Sequence, residues 1–146
     1  MHKRRSILKA LQTQLKTLSG FGGVWIQRVS PNRNAYPGIT LYAEEESVTT
    51  HVSGGYTDKA RDQDRILSVA INVWIKGTVD AEKTEADMDD AAERIEPIIV
   101  NYFDAIDLVL VATDFKVSEE EPEIHCLTLT YHITYYAVER SPAAAP

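Results

Sequence analysis

The sequence predicts an α+β domain: a single twisted, mostly antiparallel β-sheet with two helices, in the order helix, strand, strand, strand, helix, strand, strand. Three observations carry that expectation. In residues 65–76, Leu67, Val69, Ile71, Val73 and Ile75 share one parity, while Ser68, Asn72 and Lys76 share the other, with Ile66 and Trp74 as exceptions. That is the two-residue period of a strand with one buried face. After Gly77 the period lengthens: Ala81, Thr84, Met88, Ala91, Ala92, Ile95, Ile99 and Tyr102 form one stripe, and Glu82, Glu85, Asp87, Asp89, Asp90 and Glu93 form an acidic outer face. Residues 124–138 alternate again, Leu127, Leu129, Tyr131, Ile133 and Tyr135 facing one way and Cys126, Thr128, Thr130, His132, Thr134 and Tyr136 the other. A strand that hands its chain directly to a helix implies a helix folded back over the sheet, so both helices are expected largely on one side.

The remaining elements follow in order. Residues 3–18 suit a helix, with Ile7, Leu8, Leu11, Leu15 and Leu18 in one stripe and Ser19-Gly20 as its stop. Gly20 to Gly23 is a turn, and residues 24–29 make a first short strand. Residues 30–38 hold Pro31 and Pro37 among other turn formers and read as a loop. Strand character resumes at 39–43 and continues through Glu44, Glu45 and Glu46 to residue 52. Pairing of 39–52 back onto 63–76 predicts a long hairpin whose tip, residues 53–64, is charged, exposed and projecting. The long helix is expected to start at Asp80 or Thr84, either of which can cap it. Pro97 is expected to kink it or to end its regular part near residues 94–96, with a last turn or two over residues 98–103, which still carry buried-type residues. Residues 108–117 are apolar on both parities at their start, which predicts a central strand. Residues 1–140 make one domain, and the low-complexity segment 141–146 is expected to be disordered.

Composition narrows the function classes. The chain has 146 residues and a net charge of −7, so gripping nucleic-acid phosphates through clustered Lys and Arg is disfavoured. The single cysteine, Cys126, excludes an intrachain disulfide framework and a multi-cysteine zinc site. No apolar run approaches the roughly 20 residues of a membrane span. The basic start, His2 to Arg5, lacks the apolar segment of a secretory signal, which predicts a soluble protein in a reducing compartment.

No constellation of side chains spells out a reaction. His125 and His132 are seven apart in one strand and point to opposite faces, so they do not share a metal. Cys126 and His132 share a face but lie roughly 20 Å apart along it. The glycines at 20, 22 and 23 precede a strand, not a helix, and lack a phosphate-loop ending. No serine sits in a nucleophile elbow. The acidic runs at 44–46 and 119–123 could hold a divalent cation, but charged hairpin edges explain them more simply. The sheet face carrying Trp74, Thr130, His132 and Tyr136 is flat, half-polar and partly aromatic. Such a face suits another subunit; cover by the first helix is the competing reading.

The strand at 65–73, followed by a short link and the acidic helix Asp87-Met88-Asp89-Asp90-Ala91-Ala92-Glu93-Arg94-Ile95-Glu96, resembles the tail terminator proteins of long-tailed bacteriophages, the minor tail protein U-like family. The N-terminal helix and the long closing strand fit the same pattern, which covers about residues 5–138. The resemblance implies a homo-oligomeric ring, a hexamer, that caps the tail tube, stops its polymerisation and offers the surface that joins the head. It implies no enzymatic activity and no cofactor. Its partners would be further copies of itself, the tail tube protein and a head–tail connector or neck protein, with DNA passing through the lumen and no membrane involved. The site would be the head-proximal end of the virion tail, assembled in the host cytoplasm. On this reading Tyr56, Asp58, Lys59, Arg61 and Asp62 at the hairpin tip are docking candidates. Trp74, Thr130, His132 and Tyr136 are interface candidates. Glu44, Glu45, Glu46, Glu119, Glu120 and Glu121 are candidates for a lumen lining that repels DNA. The alternatives are a neck or head–tail completion protein, a small metal-dependent nuclease or hydrolase, and an undistinguished interaction domain.

Overall fold

The structure is a computed structural model and describes residues 3–32, 35–51, 60–77, 79–102, 107–117 and 123–140. Its elements are α1 (Lys3–Leu15), β1 (Val24–Ile26), β2 (Gly38–His51), β3 (Ala60–Lys76), α2 (Ala81–Tyr102), β4 (Asp107–Val117) and β5 (Ile124–Arg140). This is the expected α+β order. One five-stranded sheet runs β1-β2-β3-β5-β4. β1 lies parallel to β2, and every other pairing is antiparallel.

Alternation builds the core as expected. Leu67, Val69, Ile71 and Val73 on β3 and Leu127, Leu129, Tyr131 and Ile133 on β5 are buried on one face. Ile39 and Leu41 of β2 join them, under Ile7, Leu8, Leu11 and Leu15 of α1 and Met88, Ala91, Ile95 and Ile99 of α2. Both helices therefore cover the same side of the sheet, and α1 leaves the other side open.

The ends of the helices have local causes. α1 stops at Leu15, three residues earlier than expected, and its last turn tightens as the Thr17 and Leu18 amides donate to the Gln14 and Leu15 carbonyls at 3.1 Å. Gly20 then adopts φ +88°, a conformation that a side chain would strain. A side chain at Gly22 would meet the Ala35 backbone at 2.6 Å, so this glycine marks close packing of two loops. Asp80 caps α2: its Oδ1 accepts from the Glu82 and Lys83 amides at 3.1 and 3.4 Å. Thr84 is instead buried one turn inside, its hydroxyl donating to the Asp80 carbonyl. Ala81, expected in the buried stripe, is exposed.

Three expectations need correction. Pro97 does not end α2, which is helical through Tyr102. Its ring sits on the exposed side, and buried Ile95 and Ile99 on either side hold the helix to the sheet. The first strand ends at Ile26 rather than 29, with Gln27 making one further bond to the Leu41 carbonyl. Most consequentially, β4 is an edge strand, not a central one. β5 returns between β3 and β4, and Val109, Val111, Phe115 and Val117 stand exposed. The segment 141–146 lies outside the described residues.

Candidate assembly surfaces

The face opposite the helices is built from the other parity of the same strands, and it is concave. Thr40, Ser68, Ala70 and Asn72 form its floor and are buried although, among the described residues, no helix covers them. Small residues along the centre of the sheet let the neighbouring side chains stand as walls. Tyr42, Trp74, Arg28 and Glu44 rise on one side and Asp114 and Lys116 on the other, enclosing a groove of about 520 Å³. The polar groups within it are largely paired with one another. Thr128 Oγ1 donates to Asn72 Oδ1 at 2.6 Å, and Trp74 Nε1 donates to Thr40 Oγ1 at 2.8 Å. Arg28 lies 5.2 Å over the Tyr42 ring and donates to the Ala43 carbonyl. Cys126, at the groove wall, has its thiol pushed up to about 11 by burial, with the Thr128 hydroxyl acting the other way. It is a protonated packing group rather than a nucleophile.

Of the expected interface residues, Trp74 and Thr130 line this groove, His132 sits half-buried further along the same face, and Tyr136 is exposed beyond it. Trp74 contributes a ring wall; its N–H is already committed to Thr40. His125 and His132 do face opposite sides, being paired with Val117 and Val109 on β4. Among the described residues no group of three or more His, Cys, Asp or Glu converges as metal ligands would.

The hairpin forms as expected, β2 pairing with β3 from Gly38–Trp74 to His51–Asp62. β5 runs alongside as a third strand, out to the Ala60–Arg140 pair. Strands of 17 residues span roughly 55 Å, against roughly 33 Å for the 22-residue α2. The three strands therefore outrun the helices as an arm. Its root is fastened on the helical side. Arg4 of α1 and Arg65 of β3 both reach Glu46 Oε2, at 3.1 and 3.4 Å, and the Tyr135 hydroxyl donates to Glu46 Oε1. Burial first, and the bond to Glu46 second, raise the Tyr135 hydroxyl above its ordinary range. Arg65 also holds Gln63 Oε1 at 2.7 Å. Gln63 is buried, which corrects the expectation that the segment up to residue 64 is uniformly exposed.

The acidic run is split by a bulge. Between Ala43 and Glu45 the register slips, so Glu44 has no partner on β3 and the parity of β2 reverses. Glu45 then sits opposite Ser68 on the open face, and Glu46 opposite Leu67 on the helical face. Glu44 and Glu45 are exposed, but the Glu46 side chain is only 8% exposed and fully engaged. Glu46 is therefore a structural clamp and not a lumen carboxylate. Tyr56, Asp58, Lys59, Glu119, Glu120 and Glu121 lie outside the described residues. Arg61 and Asp62 are placed by their backbones, in β3 opposite Glu139 and Val138.

Sequence reasoning missed one surface altogether, the free side of β4. α2 stops short of it and leaves a hollow of about 440 Å³ between its first turns and Phe115. A second bulge, between Leu110 and Ala112, leaves Val111 unpaired with β5. The signal for it lies in the apolar run itself, which predicts burial and an apolar edge alike. Searched against models of known protein families and against curated proteins, the chain matches none.

Proposed function

We propose that the chain is a structural assembly protein of the tail terminator kind, acting as a ring that caps a phage tail tube, halts its growth and presents the head-joining surface. The observation that carries the reading is a sheet with both helices on one face, leaving a concave, half-polar face and a three-stranded arm without cover among the described residues. A ring needs two different patches per subunit that meet after a fixed rotation. The open face (Trp74, Thr130 and His132) and the arm (with Tyr136 on its flank) supply two such patches. The segment joining β2 to β3, with Tyr56, Asp58 and Lys59, is the proposed contact with tube subunits. Glu44 and Glu45, exposed beside the groove, are the proposed rim carboxylates past which DNA slides without sticking.

Purified protein mixed with tail tube subunits is the test. Negative-stain images should show annuli of about 98 kDa, six copies of a 16.3 kDa chain, at one end of tubes of restricted length. Tubes that grow to the same lengths with and without the protein, with no annulus at either end, would overturn the proposal. Glu44 and Glu45 on the outer wall of such an annulus would remove the rim assignment alone.

A further inference from the structure

We infer that β4 is a self-recognition edge, through which two copies of this chain join in a two-fold antiparallel strand pair. β4 is 11 residues long, is paired on one side only among the described residues, and leaves Val109, Val111, Phe115 and Val117 largely exposed. A long apolar edge is a template for another strand. What identifies that strand is the bulge at Val111. Before it, even-numbered residues face the helical side, as Leu108 and Leu110 do opposite Ile133 and Tyr131; after it, odd-numbered ones do, as Thr113 and Phe115 do opposite Leu129 and Leu127. Two copies crossing antiparallel keep their faces matched across this reversal when the two-fold axis falls between two residues beside the bulge, and the charges then select the axis between Val111 and Ala112.

In that register the chemistry is self-complementary. Leu108 meets Phe115 of the second copy on the helical side, and Leu110 meets Thr113. On the open side Val109 meets Asp114, and Asp107 at one end meets Lys116 at the other, twice by symmetry. Shifting the axis by one residue toward the start of the strand sets Asp107 against Asp114. Shifting it the other way sets Ala112 against Thr113, which face opposite sides. Opposite charges directly across a strand pair stabilise it and like charges destabilise it. Asp107 is exposed, and Lys116 is 68% exposed and shares only a surface pair with Asp114, so both are available for the second copy. The inference does not rest on the ring reading. A cyclic ring joins unlike patches, whereas this seam joins like to like, and a chain with both would make paired rings.

Sedimentation equilibrium of the full chain, up to on the order of 100 µM, reads the association directly. Wild-type protein should populate a species of twice 16.3 kDa, or an even multiple of it. K116D should weaken association about tenfold by setting Asp against Asp107 at two points. D107K should do the same, and the D107K/K116D double variant should restore wild-type affinity, since the swap recreates both pairs in this register alone. F115K, at an exposed position, should abolish association while circular dichroism stays unchanged. A wild-type chain that remains monomeric throughout overturns the inference. So does association that is indifferent to K116D, or that the double variant fails to restore.

Discussion

The two faces of the sheet are cut from the same strands, one residue apart, and they differ in what closes them. On the helical face, Leu67 to Val73 and Leu127 to Ile133 meet α1 and α2 and disappear from solvent. On the open face, Asn72, Thr128 and Thr130 satisfy one another or line a groove, and no element of the described chain lies over them. The helical face accounts for the fold. The open face is more ordered than bulk solvent requires, with a floor as buried as the core beneath it, and that surplus is where function is to be sought.

The largest effect expected separates the faces by stability. Leu129 is fully buried at the centre of the helical face. Leu129→Ala should cost about 2–5 kcal/mol in urea unfolding, the usual price of a core cavity. Its neighbour Thr130, half-buried on the open face, should cost under about 0.5 kcal/mol as Thr130→Ala. Similar losses at both positions would mean that the open face is a second core covered by something else.

The alternation that made the helical face legible is also why parts of the other face were not. Period two identified Leu127, Leu129, Tyr131, Ile133 and Tyr135 as one buried row, and burial agrees at each. The expectation that groups Glu46 with Glu44 and Glu45 rests on charge alone, and a bulge that reverses parity leaves no mark in a run of three glutamates. The rank of β4 was misjudged for a different reason. A strand apolar on both parities is central if its neighbours flank it and an edge if its own hairpin partner inserts first. Only the long-range placement of β5 beside β3 decides between these. Pro97 was over-weighted: a lost backbone bond on the exposed side of a helix is outweighed by the buried isoleucines that flank it.

Alkaline titration tests how tightly the groove wall is sealed. The Cys126 thiol ionises at an ordinary 9.0 when exposed and is pushed up to about 11 here. Between those values the unfolded chain gives up a proton that the folded chain retains. Folding stability therefore falls as pH rises from about 9 to 11, by about 2–3 kcal/mol in full. Cys126→Ser should remove that part of the decline, seen as a smaller drop in the denaturation midpoint over this range. An unchanged decline would mean that the groove admits water to the thiol and that its floor is less closed than its wall residues indicate.

The clamp at the arm root, on the helical face, marks where the arm leaves the body, and removing its charge should cost somewhat less. Glu46→Gln keeps the shape but weakens what Arg4, Arg65 and Tyr135 all hold. Because Arg4 is 45% exposed and can turn to water, the expected loss is about 1–2 kcal/mol, below that of a fully buried pair. Hydrogen exchange should rise along residues 46–51 and 63–66 and stay unchanged at Ile71 and Leu129. Uniform loosening would show that the arm and the body unfold as one unit.

The smallest effect on folding is expected on the open face itself, where it separates folding from assembly. His132→Ala and Tyr136→Ala, at half-buried and exposed positions, should each change unfolding free energy by under about 0.5 kcal/mol. If this face is a subunit contact, the same substitutions should reduce the fraction of protein found in annuli on tubes, because aromatic groups dominate the energy of such contacts. The pair is informative because the two readouts move independently: stability held with assembly lost marks a surface shaped for another copy. Stability and assembly both held would return these residues to ordinary solvent-facing sheet and leave the arm and the β4 edge as the remaining routes to self-association.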